Sequence, residues 1–145
     1  MTSEIKDLEI QATISNEEIK NFIYTIRGKQ VMLDSDVAML YHYETKNINK
    51  AVKRNIERFP EEFCFQLTEE ELKILRFQIG TSNDKNMINN SRGGRRYLPY
   101  VFTEQGIAML SAILHSDKAI DVSIKIINSF CHPYRRFLAM LQIHS

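Results

Sequence analysis

The stretch DSDVAMLYHYETKNINKAVKRNIERF, residues 34–59, decides how the chain folds. Val37, Leu40 and Tyr41 recur at helical spacing behind Asp34, which predicts a helix capped by that aspartate. After the break His42-Tyr43-Glu44, Thr45 is placed to cap a second helix running to about Arg58. Two short helices joined this tightly are the outline of a helix-turn-helix. In the second helix charge and apolar surface separate. At about 100° per residue Ile48, Val52, Ile56 and Phe59 fall together, while Lys46, Lys50, Lys53 and Arg54 point the other way. Residues 45–59 carry Lys46, Lys50, Lys53, Arg54 and Arg58 against Glu57 as the single acid. The net charge of the whole chain is only +1, so any pull on a polyanion must come from such local segregation.

Upstream, residues 1–14 are polar and unpatterned and read as a flexible tail. Ser15 and Glu18 form a capping box ahead of Ile19, Phe22 and Ile23, predicting one short helix. Tyr24-Thr25-Ile26-Arg27 and Gln30-Val31-Met32-Leu33 then flank Gly28-Lys29, a pattern that predicts a hairpin with a type II′ turn. Downstream, Pro60 stops the basic helix, and residues 62–67 (EFCFQL) read as a strand. Thr68 and Glu71 make another capping box, opening a helix through about Phe77.

Residues 80–94, GTSNDKNMINNSRGG, have the composition of a mobile surface loop, which leads into the basic step Arg95-Arg96. Residues 97–102 resume a strand pattern interrupted by Pro99, which favours an edge strand over a central one. Thr103 caps a helix through Leu114, and Ser116-Asp117 open a long last helix. The apolar residues of that helix, Ile120, Ile124, Ile127, Phe130 and Cys131, suggest its buried face, and Pro133 breaks it. The fold class expected is α+β: a small helix-turn-helix-containing domain with short strands, an N-terminal hairpin plus edge strands, and a long C-terminal helix. The expected division is a tail over 1–14, a domain over 15–131 and a short C-terminal extension over 132–145.

An apolar content of 43% suits a globular domain, and no run approaches the roughly eighteen apolar residues needed to cross a bilayer. The start of the chain lacks a signal segment, so a cytoplasmic location without membrane contact is expected. Cys64 and Cys131 lie in apolar settings with no paired spacing, and are read as inert buried thiols. His42, His115, His132 and His144 have no metal-ligand spacing, and neither a phosphate loop nor a nucleophile elbow occurs. Glu71-Leu72-Lys73, with Glu61 and Glu62 upstream, superficially resembles the acid-x-lysine arrangement of metal-dependent nucleases, but Glu71 closes a capping box. We therefore expect no enzyme, no catalytic residue, no metal, no cofactor and no small-molecule substrate.

Two elements suit DNA. Lys46, Asn47, Asn49 and Lys50 would face base edges from the N-terminal part of the basic helix, with Lys53 and Arg54 beside them, since asparagine pairs with adenine and lysine donates to guanine. Arg92, Arg95 and Arg96 would act as a wing on the backbone or in the minor groove. Each taken alone is also what a solvated basic surface looks like; two in one small domain favour double-stranded DNA as partner. The rival is a protein-interaction module binding a repressor or a sister subunit, with the last helix and Phe137, Leu138 and Leu141 as contact. A homodimer is compatible with either.

Three linked motifs go further: RGKQVMLDSDVAMLY, NKAVKRNIERFPEEFCFQLTEEE and GGRRYLPYVFTEQGIAMLSAIL. Together they resemble the KilA-N superfamily, specifically the phage ORF-six-N domain found at the N-terminus of antirepressor-like regulators, over about residues 19–130. The resemblance implies a compact α+β DNA-binding domain of phage or prophage transcription regulators. The family's basic stretch matches Lys50, Lys53, Arg54, Asn55 and Arg58, and its GGRRYLP element matches residues 93–99. The chain departs from the family pattern in its asparagine-rich insertion at 83–90 and in Cys131-His132-Pro133, the latter suggesting a stand-alone or truncated form.

Overall fold

The computed structural model describes residues 15–79 and 97–131; the loop, the wing arginines and the tail lie outside them. Helix α1 (Asn16–Lys20) starts where Ser15 accepts a hydrogen bond from the Glu18 N–H, as expected. Strands β1 (Ile23–Ile26) and β2 (Lys29–Leu33) pair antiparallel, with Ile26 opposite Lys29. The turn residues are therefore Arg27 and Gly28, at φ of 55° and 72°. Positive φ at both central positions makes a type I′ turn, so the expected type II′ turn centred on Gly28-Lys29 does not form.

Helix α2 (Asp34–Tyr41) follows β2 directly, and its N-cap is Leu33 rather than Asp34. It ends at His42 in the left-handed conformation. Helix α3 (Thr45–Arg54) has Glu44 as N-cap and no side-chain cap, so Thr45 does not play that part either. It also stops short of Arg58. The Asn55 side-chain amide donates to the Ala51 carbonyl at 2.9 Å and its backbone leaves the helix, giving way to a 3₁₀ turn at Ile56–Arg58. That break re-phases the chain: Ile48, Val52 and Phe59 are buried as expected, but Ile56 is 60% exposed.

Strand β3 (Cys64–Gln66), helix α4 (Glu69–Ile79), strand β4 (Tyr100–Phe102), helix α5 (Glu104–Leu114) and helix α6 (Asp117–Ser129) complete the described fold. The sheet is antiparallel in the order β1-β2-β4-β3. β4 is thus a central strand, contrary to the edge position expected from Pro99. The proline lies one residue before the strand, where no ladder N–H is needed, and its carbonyl accepts from the Leu67 N–H at 2.9 Å. The architecture is α+β, with six α-helices and one four-stranded sheet among the described residues.

The main core lies on one side of the sheet, where Met32, Cys64 and Phe102 meet residues of α1, α2, α3, α5 and α6. Burial, together with the Asp34 charge, pushes the Cys64 thiol up to about 12, in keeping with an inert core thiol; Cys131 is only half-buried. α5 begins at Thr103, whose Oγ1 donates to the Glu62 carbonyl at 2.7 Å, and Gly106 in its first turn is closely covered by Phe63. α6 buries Ala119, Ser123, Ile126 and Ser129, while Ile120 and Ile124 are exposed. The expected apolar face is therefore wrong for those two residues. Small side chains let α6 lie close on its neighbours, and Ser123 shares a 2.6 Å hydrogen bond with the buried Tyr41 hydroxyl.

Candidate nucleic-acid interface

The basic side of α3 is held in place by a buried polar hub. Asp34 is 0% exposed. Its Oδ1 accepts from the Ser35 N–H at 2.7 Å. Its Oδ2 accepts from the Asn49 amide at 3.1 Å, from the Tyr100 N–H at 3.2 Å and from the Tyr97 hydroxyl. Asn49 also donates to the Tyr97 hydroxyl at 2.9 Å. One carboxylate thereby joins the start of α2, the middle of α3 and the segment entering β4. Burial raises the Asp34 carboxyl, with the Tyr97, Asn49, Tyr100 and Ser35 hydrogen bonds pulling the other way. Burial, followed by the charge and hydrogen bond of Asp34, raises the Tyr97 hydroxyl. Burial and then the Asp34 charge lift Asp36 to about 7.

The Asn49 amide nitrogen is committed to the hub and the residue is half-buried, whereas the base-reading role expected of it needs a free amide. The sequence signal for the hub is an acid, Asp34, directly after the apolar run Val31-Met32-Leu33, a position that also suits a helix cap. Leu98 and Pro99, ahead of β4, stay bonded to the segment that leaves β3, the Leu67 N–H donating to the Pro99 carbonyl at 2.9 Å. The Gln66 side chain donates to the Leu98 carbonyl at 3.0 Å, and this pairing sets Tyr97 against α3.

Above the hub lies a cleft of about 510 Å³. Lys46, Lys50 and Lys53 form one wall, from the solvent side of α3, while Leu72 of α4 with Tyr97 and Pro99 form the other. Ser35, Thr45 and Asn49 complete the lining. Lys46 pairs with Glu44 at 3.3 Å. Among the described residues no carboxylate lies within ion-pair distance of Lys50, Lys53 or Arg54. Arg54 and Asn47 are exposed on α3 but do not line the cleft. The structure thus brings together Lys46, Asn49, Lys50 and Lys53 of the expected set and places Asn47 and Arg54 further round the same helix. Arg92, Arg95 and Arg96 fall outside the described residues; Tyr97 on the cleft wall is the next residue in the chain after Arg96.

Two members of the acidic cluster, Glu71 and Glu61, turn to Arg27 rather than to this face. Glu71 takes a bidentate grip from Arg27, at 2.8 Å to Nε and 2.9 Å to Nη2, and closes its capping box with Thr68. Hydrogen bonding to Arg27 is the main reason the Glu71 carboxyl lies low, at about 2. Glu61 faces the same arginine at 3.5 Å. Among the described residues no three His, Cys, Asp or Glu side chains are grouped to hold a metal ion, and no helix is long and apolar enough to cross a membrane.

A family model described as the ORF6N domain matches residues 21–113, from the residue before Phe22 to the last turn of α5. This agrees with the resemblance seen in the three sequence motifs, although the match stops before α6, short of the expected residue 130. No curated protein and no solved structure shows significant similarity to the chain.

Proposed function

The chain belongs to the ORF6N domain family, and from that premise we propose that it is a phage- or prophage-type regulator that binds double-stranded DNA through α3. The observation that carries the reading is the run of Lys50, Lys53 and Arg54 on the exposed side of α3, unpaired by any described carboxylate, in a chain of net charge +1. Segregated positive charge of this kind attracts phosphate without making the whole molecule basic. Asp34 fixes the bearing of α3 through Asn49, so the cations are presented on a rigid helix.

In this reading Lys46, Lys50, Lys53 and Arg54 contact DNA from α3, and Arg92, Arg95 and Arg96 hold the flanking backbone. No bond of the DNA is broken. The acid-x-lysine arrangement that would serve a nuclease has its carboxylate engaged by Arg27 and Thr68.

Neutralising about four to six phosphates gives a slope of log affinity against log salt near −4 to −5. The double variant Lys50→Ala, Lys53→Ala should reduce that slope by about two and keep its thermal midpoint, because exposed lysines contribute little to stability. Fluorescence anisotropy on labelled duplex at several salt concentrations makes the measurement. Equal slopes and affinities for variant and parent would remove α3 from the interface.

A further inference from the structure

A helix that reads the major groove must stand proud of its surroundings, since the groove, about 12 Å wide, has to close around it. α3 does this only in part, because Lys46, Lys50 and Lys53 turn toward a cleft walled on the far side by Leu72, Tyr97 and Pro99. A paired duplex can meet these exposed lysines from outside, but it does not fit within the cleft. At about 510 Å³ the cleft falls in the range of small-molecule sites, roughly 300–1,000 Å³.

The two walls differ in chemistry. Spacings of four and three residues set the backbones of the three lysines about 6 and 4.5 Å apart along the α3 axis, within reach of one anion with several oxygens for their flexible side chains. The opposite wall offers an apolar side chain, a proline ring and a phenol ring, which suit a flat ring. Tyr97 and Asn49 are held in position by Asp34 before anything binds. A bare inorganic anion would leave the apolar wall unused, and a neutral aromatic would leave the lysines unused.

We propose that this cleft seats a single nucleotide unit, its phosphate on Lys46, Lys50 and Lys53 and its base against Leu72 and Tyr97. The unit is either a free mononucleotide or one unpaired nucleotide of a DNA strand. The inference shares its lysines with the DNA reading but rests on that reading only for the second source.

The test uses the full chain and two probes. Free deoxynucleoside monophosphates are titrated by calorimetry at low salt, and a duplex carrying one unpaired nucleotide is compared by anisotropy with the same duplex fully paired. One-to-one binding of a monophosphate, or about a tenfold preference for the unpaired-nucleotide duplex, supports the site, and the arm that responds names the source. Leu72→Trp, which fills the cleft, should abolish that response. Lys50→Ala, at an exposed position, should weaken it about tenfold. Lys125→Ala on α6 should leave it unchanged.

Absence of monophosphate binding together with equal affinity for the two duplexes overturns the proposal, as does a response that survives both Leu72→Trp and Lys50→Ala. If both duplexes bind equally well and no monophosphate binds, the DNA reading stands while this one falls. If monophosphates bind and no duplex does, the DNA reading falls and the nucleotide site stands.

Discussion

On one side of the sheet Met32, Cys64 and Phe102 meet residues from five helices, whereas on the other Val31, Leu33, Phe65 and Val101 meet only Leu67 and Leu75 as buried partners among the described residues. Because both sides are covered, β2 reads as a continuous apolar run, Val31-Met32-Leu33, rather than an alternating one. The two covers are held differently. The bundle side is closed by interlocking helices and by a buried hydroxyl pair, Tyr41 with Ser123. α4 buries Leu75 alone, with Ile79 half-buried beside it, and leaves Phe77 87% exposed. Local stability scales with buried apolar contact, so the bundle side should carry global stability and α4 should open first. The cleft lies between these two regimes, with α3 as its firm wall and Leu72 of α4 as part of its weaker one.

The largest effect is expected where the bundle side is tightest. A Cβ on Gly106 would sit 2.0 Å from the Phe63 carbonyl oxygen, a backbone atom that cannot swing away. Gly106→Ala should therefore displace the turn leading into β3 and cost about 3 kcal/mol, read as a lowered denaturant midpoint. An unchanged midpoint would mean that the contact between α5 and this turn is not tight. Leu75→Ala should cost about 2 kcal/mol by leaving a cavity under α4, with a different distribution. In hydrogen exchange the α4 amides should lose protection while those of α5 and α6 keep theirs. Uniform loss across all three helices would erase the distinction between the two covers.

The parts of this fold legible in the sequence are those fixed within a few residues. Ser15, Thr103, Ser116 and the Thr68–Glu71 box all cap the helices expected of them, because cap chemistry is local. Asp34 has the same local signature and does something else. Its carboxylate is spent on Asn49, Tyr97 and Tyr100, partners that only the tertiary fold delivers. Ile120 and Ile124 look like a core stripe, yet α6 turns Ala119 and Ser123 inward, where close approach matters more than side-chain size. β4 is central because β3 pairs with it from the far side, a long-range fact that Pro99 does not advertise. Of the site, the lysine face of α3 was readable from helical phase, but its opposite wall was not. Leu72 and Tyr97 come from sequence-distant elements whose motifs, the Thr68–Glu71 box and GGRRYLP, do not say that they meet α3.

The smallest predicted effect concerns the clasp that holds the weaker cover down. Arg27, at the hairpin turn, lies 4.3 Å over the Phe65 ring and reaches Glu71 in the first turn of α4. The pair is partly open to solvent, so it should contribute about 1 kcal/mol. Its pH dependence has a definite sign. The Glu71 carboxyl falls from its ordinary 4.5 to about 2 in the folded chain, so its contribution is complete above pH 4.5 and fades as the pH drops toward 2. Glu71→Gln should therefore be less stable than the parent at neutral pH and indistinguishable from it near pH 2, in paired denaturant titrations. The neutral-pH loss should appear in the exchange of α4 amides before any other helix responds. If instead the variant loses the same stability at both pH values, the clasp acts through side-chain packing and its charge contributes nothing.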